Sequence, residues 1–151
     1  MSAPNRCGVV AAYVHPDARF GALVELGCAT RATSSLPEVR NVAHELAIQV
    51  AATGALVLHR EDLSEELLKA ACDRYTDEET RAGRRADTVR RRVAIRMEQY
   101  REQACLLEQR WLKDPALTIR DLLDEQSDRT GEHLEVVRFA RFAVDERGPV
   151  G

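Results

Sequence analysis

The chain has 151 residues, 31% of them charged and 44% hydrophobic, and a formal net charge of −3. That length suits one domain with a real core better than two, and the near-balanced charge gives no global argument for nucleic acid or an anionic membrane as a partner. No apolar run approaches the roughly 18 residues that span a bilayer. Met1 to Arg6 lack the apolar centre of a signal peptide, and Cys7, Cys28, Cys72 and Cys105 show no Cys-x-x-Cys pair and no histidine at ligand spacing, so they read as reduced thiols in a cytosolic protein without a metal site.

Residues 1–7 read as a disordered leader, 8–146 as the core domain and 147–151 as a tail. Val9 to Val14 has strand character, His15-Pro16-Asp17-Ala18 is a turn with Pro16 setting its backbone, and Arg19 to Leu26 returns as the second strand of a hairpin. Cys28 to Ser34 is then a polar exit loop, the kind of segment that carries recognition when rigid elements hold its ends. Ser35 and Glu38 have capping-box spacing, Pro37 falls in a first helical turn and Gly54 supplies a left-handed stop. Between them Leu36, Val39, Val42, Ala43, Leu46, Ala47 and Val50 form one core-facing stripe. His44 and Ile48 fall off it, beside Asn41 and Ala51. They are either a second contact surface or, more blandly, a solvated edge histidine and an isoleucine against a neighbouring helix.

Leu56 to His59 is a brief strand or an extended link. Asp62 with Glu65, or Ser64, starts a helix that buries Leu67, Leu68, Ala71 and Tyr75 and fades near Gly83. After a polar junction over 80–85, Asp87 or Thr88 opens a longer helix with Val89, Val93, Met97, Tyr100, Ala104 and Leu107 along one side. Its other side carries Arg84, Arg85, Arg90, Arg91, Arg92, Arg96 and Arg101. Glu78, Glu79, Asp87, Glu98 and Glu102 lie close by and no aromatic residues alternate with the arginines, which suits an ion-paired surface better than an RNA-binding one. Trp111 is a packing residue, Thr118 caps a last helix through Leu122 and Leu123, and Gly131 ends it. His133 to Asp145 is the final strand, with a register blurred by Arg138 and Arg141. The expected fold is α+β: an antiparallel three-stranded sheet, made of the N-terminal hairpin and the C-terminal strand, covered by three to five helices.

No enzyme is indicated. There is no phosphate-cradling glycine loop, no serine elbow and no spaced carboxylate pair, and His15, His44, His59 and His133 lie far apart. A binding module without a cofactor fits better.

Ala-Tyr-Val-His-Pro (Ala12 to Pro16), Leu-Val-Glu-Leu (Leu23 to Leu26), Cys-Ala-Thr (Cys28 to Thr30) and His-Glu-Leu-Ala-Ile-Gln-Val-Ala-Ala (His44 to Ala52) resemble translation elongation factor Ts in order and spacing. So do Arg-Glu-Asp-Leu (Arg60 to Leu63), Cys-Leu-Leu-Glu-Gln (Cys105 to Gln109), Lys113-Asp114 and Val-Arg-Phe-Ala-Arg-Phe (Val137 to Phe142), which extends the resemblance over Gly8 to Glu146. It implies a cytosolic guanine-nucleotide exchange factor for the GDP form of elongation factor Tu, built on the dimerisation-domain fold, with a homodimer as the expected assembly. In that family the loop after the second strand reads Thr-Asp-Phe-Val, and its Asp-Phe pair wedges into the partner's G domain. The following helix turns a histidine toward the partner. The implied partner-binding residues here are Cys28, Ala29, Thr30, Arg31, Ala32, Thr33, His44 and Ile48.

Arg31 stands where the acid belongs and Ala32 where the phenylalanine belongs, and the small N-terminal helical domain of the family is expected to be missing. Losing the phenylalanine removes roughly 1.5–3 kcal/mol of apolar burial. At about 1.4 kcal/mol per factor of ten, that is worth roughly ten- to a hundredfold. A cation near a nucleotide would also sooner attract phosphate than expel it. Three functions follow: an exchange factor; a degenerate relative that binds elongation factor Tu, or itself, without exchange; and, third, an RNA-binding protein using the arginine helix.

Overall fold

Strand β2 (Phe20–Cys28) lies between β1 (Cys7–Val14) and β3 (Glu135–Ala143), antiparallel to both, in a three-stranded sheet. The α+β architecture is the one expected. The computed structural model describes residues 7–144 and 146, so the expected tail and all of the expected leader except Cys7, which opens β1, lie outside the described residues. In chain order the helices are α1 (Arg31–Ser34), α2 (Pro37–Thr53), α3 (Glu65–Arg81), α4 (Ala86–Ala104) and α5 (Ile119–Thr130). The chain divides into two compact units, Met1–Gly54 with Arg110–Gly151, and Ala55–Gln109.

The first unit holds the sheet. Ala22, Val24, Leu26 and Cys28 alternate inward along β2 and are buried, while Leu23 faces out, as a pleated strand with one covered face requires. The hairpin turn forms at the expected residues: the amide of Ala18 donates to the carbonyl of His15 at 2.8 Å, and Ala18 takes a positive φ of 58°. Gly8 has no room for a side chain, because a Cβ there would stand 2.4 Å from the Leu26 carbonyl oxygen.

The register of β3, blurred in sequence, is settled by a bulge. Arg138 pairs with Glu25 but Val136 pairs with the next residue, Leu26, leaving Val137 as the extra residue. The bulge puts Val136 into the core and Arg138 outside, where its Nε lies 2.6 Å from Glu25. Arg141 turns inward and donates to the carbonyl of Ala51 at 2.9 Å, supplying a partner to the last turn of α2.

Helix α2 packs on all three strands through Val39, Val42, Ala43, Leu46, Ala47 and Val50. Each large side chain in that stripe contributes about 1.5–3 kcal/mol of burial. Pro37 opens the helix and Gly54, at φ 67°, ends it. Three local expectations fail. The Ser35–Glu38 capping box does not form: Leu36 is the N-cap with no side-chain bond, and the Ser35 hydroxyl donates back to the Arg31 carbonyl at 3.0 Å. Ala51 is buried and Ile48 is half-buried rather than exposed, so α2 buries a wider arc than the spaced stripe indicates. Cys28 to Ser34 is only partly loop, since α1 is a single helical turn inside it. At the other end, Thr118 and Asp121 form a capping box at the start of α5, and Gly131 stops it at φ 73°.

The second unit is a helical hairpin. Ser64 caps α3 by accepting from the Leu67 amide at 3.2 Å. The junction is short, so α4 begins at Ala86 behind an N-cap Arg85, slightly earlier than expected. Ala71, Val89, Val93 and Met97 make its core, with Leu68, Cys72, Tyr75 and Tyr100 around them. Leu56 to His59 is an extended link: Val57 bridges Cys105, and its carbonyl receives the Leu106 amide at 2.9 Å. The arginines expected to be ion-paired include Arg84, Arg92 and Arg96, which converge on Glu79 at 2.7, 2.7 and 3.2 Å.

Candidate functional site

Strand β2 ends on the buried Cys28, whose thiol donates to the Thr30 carbonyl at 3.3 Å. The chain then surfaces. Ala29, Thr30, Arg31 and Ala32 are exposed, and it dives again at Thr33 and Ser34, both buried. Thr30 is the N-cap of α1, its hydroxyl oxygen accepting from the Thr33 amide at 3.3 Å. The Ser34 hydroxyl donates to the Arg31 carbonyl at 2.8 Å, closing the turn from below. Among the described residues the Arg31 guanidinium has no hydrogen-bond or ion-pair partner, so the turn presents a free cation beside the bare methyl of Ala32.

One residue overlooked in the sequence holds this turn. Glu132, on the connection between α5 and β3, accepts the amides of Ala29 and Thr30 at 3.1 Å each through Oε2. Its Oε1 accepts the Thr30 hydroxyl at 2.5 Å. The Thr30 hydroxyl, then that of Thr33 and the two amides, hold its carboxyl below the ordinary carboxylate range. Burial, and then the charge of Glu132, push the Cys28 thiol upward.

Of the residues expected to bind a partner, Thr30, Arg31 and Ala32 share one exposed turn with Ala29. Cys28 and Thr33 are buried and support it instead of offering surface. His44 is exposed on α2, with its ring edge-on to Tyr13 at 6.3 Å between centroids. Tyr13 is six residues along β1 from Cys7, the partner of Cys28. At about 3.3 Å per residue, the His44 face and the turn lie on the order of 20 Å apart along the sheet. They form two contact points, not one cluster.

A second overlooked residue is Gln49, only 1% exposed within the α2 stripe. Its Nε2 donates to the Arg110 carbonyl at 3.0 Å and its Oε1 accepts the Leu112 amide at 2.9 Å. This fixes the 110–118 loop, which closes with the Trp111 amide on the Leu117 carbonyl at 2.9 Å and leaves Leu112 56% exposed. Glu132 lies outside every stretch that carries the resemblance, and Gln49 lies inside one, His44 to Ala52, without being marked there as a site residue. Gln49 is detectable only as a polar residue flanked by core positions.

The sequence profile described as Elongation factor TS matches residues 2–146. The chain is 36% identical over 141 residues to "Elongation factor Ts" of Caldanaerobacter subterraneus subsp. tengcongensis, covering 93% of this chain and 69% of that protein. It is 34% identical over 139 residues to "Elongation factor Ts" of Carboxydothermus hydrogenoformans, covering 92% of this chain and 64% of that protein. The protein of the same name from Pseudothermotoga lettingae is 32% identical over 139 residues, with 92% and 70% covered. The chain thus spans about two thirds of the length of these relatives, and it belongs to the elongation factor Ts family.

Proposed function

We propose that this chain docks on the GDP form of elongation factor Tu in the cytosol and promotes release of the nucleotide, without a cofactor of its own. The observation that carries this is the Ala29–Ala32 turn, pushed into solvent between two buried anchors in a chain of the elongation factor Ts family. His44 on α2 supplies the second contact, and a partner spanning both points is consistent with an interface of ordinary size, roughly 800 Å² per side. The test is release of a fluorescent GDP from the host's elongation factor Tu. Acceleration at micromolar chain supports exchange. Release at the intrinsic rate, with a complex still seen on a sizing column, supports binding without exchange. No complex at all defeats both.

One observation favours the second outcome. Arg31 and Ala32 are the side chains this turn displays, where the family resemblance expects an acid and a phenylalanine wedge. The tip of the turn is small and carries the opposite charge.

Self-association is part of the same proposal. The sheet face away from α2 is apolar: Val10, Val14, Leu23 and Val144 are exposed, and Phe142 is 78% exposed. Ala12, Val14, Leu23, Phe142 and Val144 line an open groove of about 500 Å³ on it. Glu25 and Arg138 lie side by side on that face, so a two-fold axis can set each charge against its opposite in a second copy. A second copy of this chain is the occupant we assign to it.

A further inference from the structure

We infer that Glu132 is a positioning residue for partner docking: its carboxylate holds the Ala29–Ala32 turn in the conformation that meets the partner. This rests on the docking role proposed above for that turn. The three donors Glu132 satisfies are consecutive along the chain, the amides of Ala29 and Thr30 and the Thr30 hydroxyl, and they lie where the backbone leaves β2 and enters α1. Both of those amides precede the helix, so neither has a partner in the sheet or in α1. A carboxylate that accepts all three acts as a clamp, because charge-assisted bonds are roughly twice as strong as neutral ones.

The clamp is itself braced. Gly131 turns the chain at φ 73°, the Thr130 hydroxyl donates to the Glu132 carbonyl at 3.2 Å, and two residues on the Leu134 amide donates to the Ser127 hydroxyl at 2.9 Å. Leu134, 1% exposed, then plugs into the core. Glu132 is therefore held on both sides while its carboxylate reaches a turn more than 100 residues earlier, at sequence separations of 102 and 103. A four-residue helix cannot sustain its own geometry in water. Without Glu132 the turn samples several conformations, and docking then pays to order it.

The test compares wild type with Glu132→Ala and Glu132→Gln. Amide hydrogen exchange at Ala29 and Thr30 reads the clamp directly, and affinity for elongation factor Tu–GDP reads its consequence. In Glu132→Ala both amides should exchange at least about tenfold faster while those of Val24 and Leu26 stay protected. Affinity should fall about tenfold with the melting temperature nearly unchanged, since the clamped groups are at the surface. Glu132→Gln, which keeps one carbonyl acceptor, should fall between the two. Thr30→Ala added to Glu132→Ala should cost little more than Glu132→Ala alone, the signature of a shared interaction.

Equal affinity of wild type and Glu132→Ala, with faster exchange at Ala29 and Thr30, overturns the positioning role and leaves the docking reading standing. Unchanged exchange at those amides overturns the clamp itself. If wild type does not bind elongation factor Tu at all, it is the docking reading that fails, and the positioning role fails with it. Should Glu132→Ala not fold, the near-isosteric Glu132→Gln carries the same comparison.

Discussion

Glu79 on α3 accepts the guanidinium Nε of Arg92 on α4 at 2.7 Å, with only 5% of its surface exposed. Arg84 and Arg96 reach the same carboxylate, and Arg96 also lies 4.1 Å over the Tyr75 ring. The hydrogen bond from Arg92 holds the Glu79 carboxyl below its ordinary 4.5, so the folded value is the lower one. The ion pairs therefore stabilise the fold fully above that ordinary value, and their contribution fades as pH falls through the depressed folded value. Glu79→Gln should lower the melting temperature at neutral pH and flatten its decline in acid, the two proteins converging once pH falls below the depressed folded value. Parallel melting curves for the two proteins across that range would refute the assignment.

Gln49 offers a sharper stability test, because both ends of its amide are used inside the core. Gln49→Leu strands the Arg110 carbonyl and the Leu112 amide together. Leaving such groups without partners costs about 1–3 kcal/mol. Urea unfolding should show that loss as an earlier midpoint with an unchanged slope. A midpoint equal to wild type would mean that water replaces the glutamine without cost.

The cysteines separate by burial. Cys28 and Cys105 are buried, and burial pushes the Cys105 thiol up to about 11, so almost none of it is thiolate at neutral pH. Cys7 and Cys72 are partly exposed. A maleimide should therefore label those two in the native protein, and Cys28 and Cys105 only after denaturation. Native labelling of Cys105 would show that α4 frays at its C-terminal end.

What could be read from the sequence was what neighbouring residues determine. Pro37 and Gly54 bound α2, and Thr118 with Gly131 bounds α5, because those signals act within one turn of the residues that carry them. Ser35 misled because a capping-box spacing does not say which carbonyl or amide the hydroxyl will choose, and Arg31 had claimed it. The Val137 bulge was invisible, since only pairing with β2 reveals an extra residue. The same limit hid half of the candidate site. Thr30 to Thr33 are legible as residues, but the turn that leads into α1 is held by Glu132, which chain proximity cannot indicate.

The outer sheet face makes a prediction about mass. Phe142→Asp places a charge on the wall of the apolar groove without touching the core, since the side chain is already in solvent. Light scattering should give a dimer for wild type and a monomer for the variant, with similar melting temperatures at low concentration. A monomeric wild type at working concentration would remove the second copy as the occupant of that face.

Restoring the wedge tests the chemistry of the turn itself. Ala32 is exposed and contributes only its backbone to α1, where its carbonyl receives the Ser35 amide at 3.2 Å, so a larger side chain fits without repacking. Arg31 likewise serves the turn through its carbonyl, which accepts from Ser34 and Ser35. The double change Arg31→Asp with Ala32→Phe should therefore leave the fold intact while adding an apolar anchor and reversing the local charge. An anchor of that size is worth about 2 kcal/mol or more at an interface, so GDP release should quicken by roughly ten- to a hundredfold over wild type. If the variant binds elongation factor Tu more tightly yet GDP leaves no faster, the turn grips the partner away from its nucleotide site. Exchange would then have to be assigned to another part of the surface, the His44 face first.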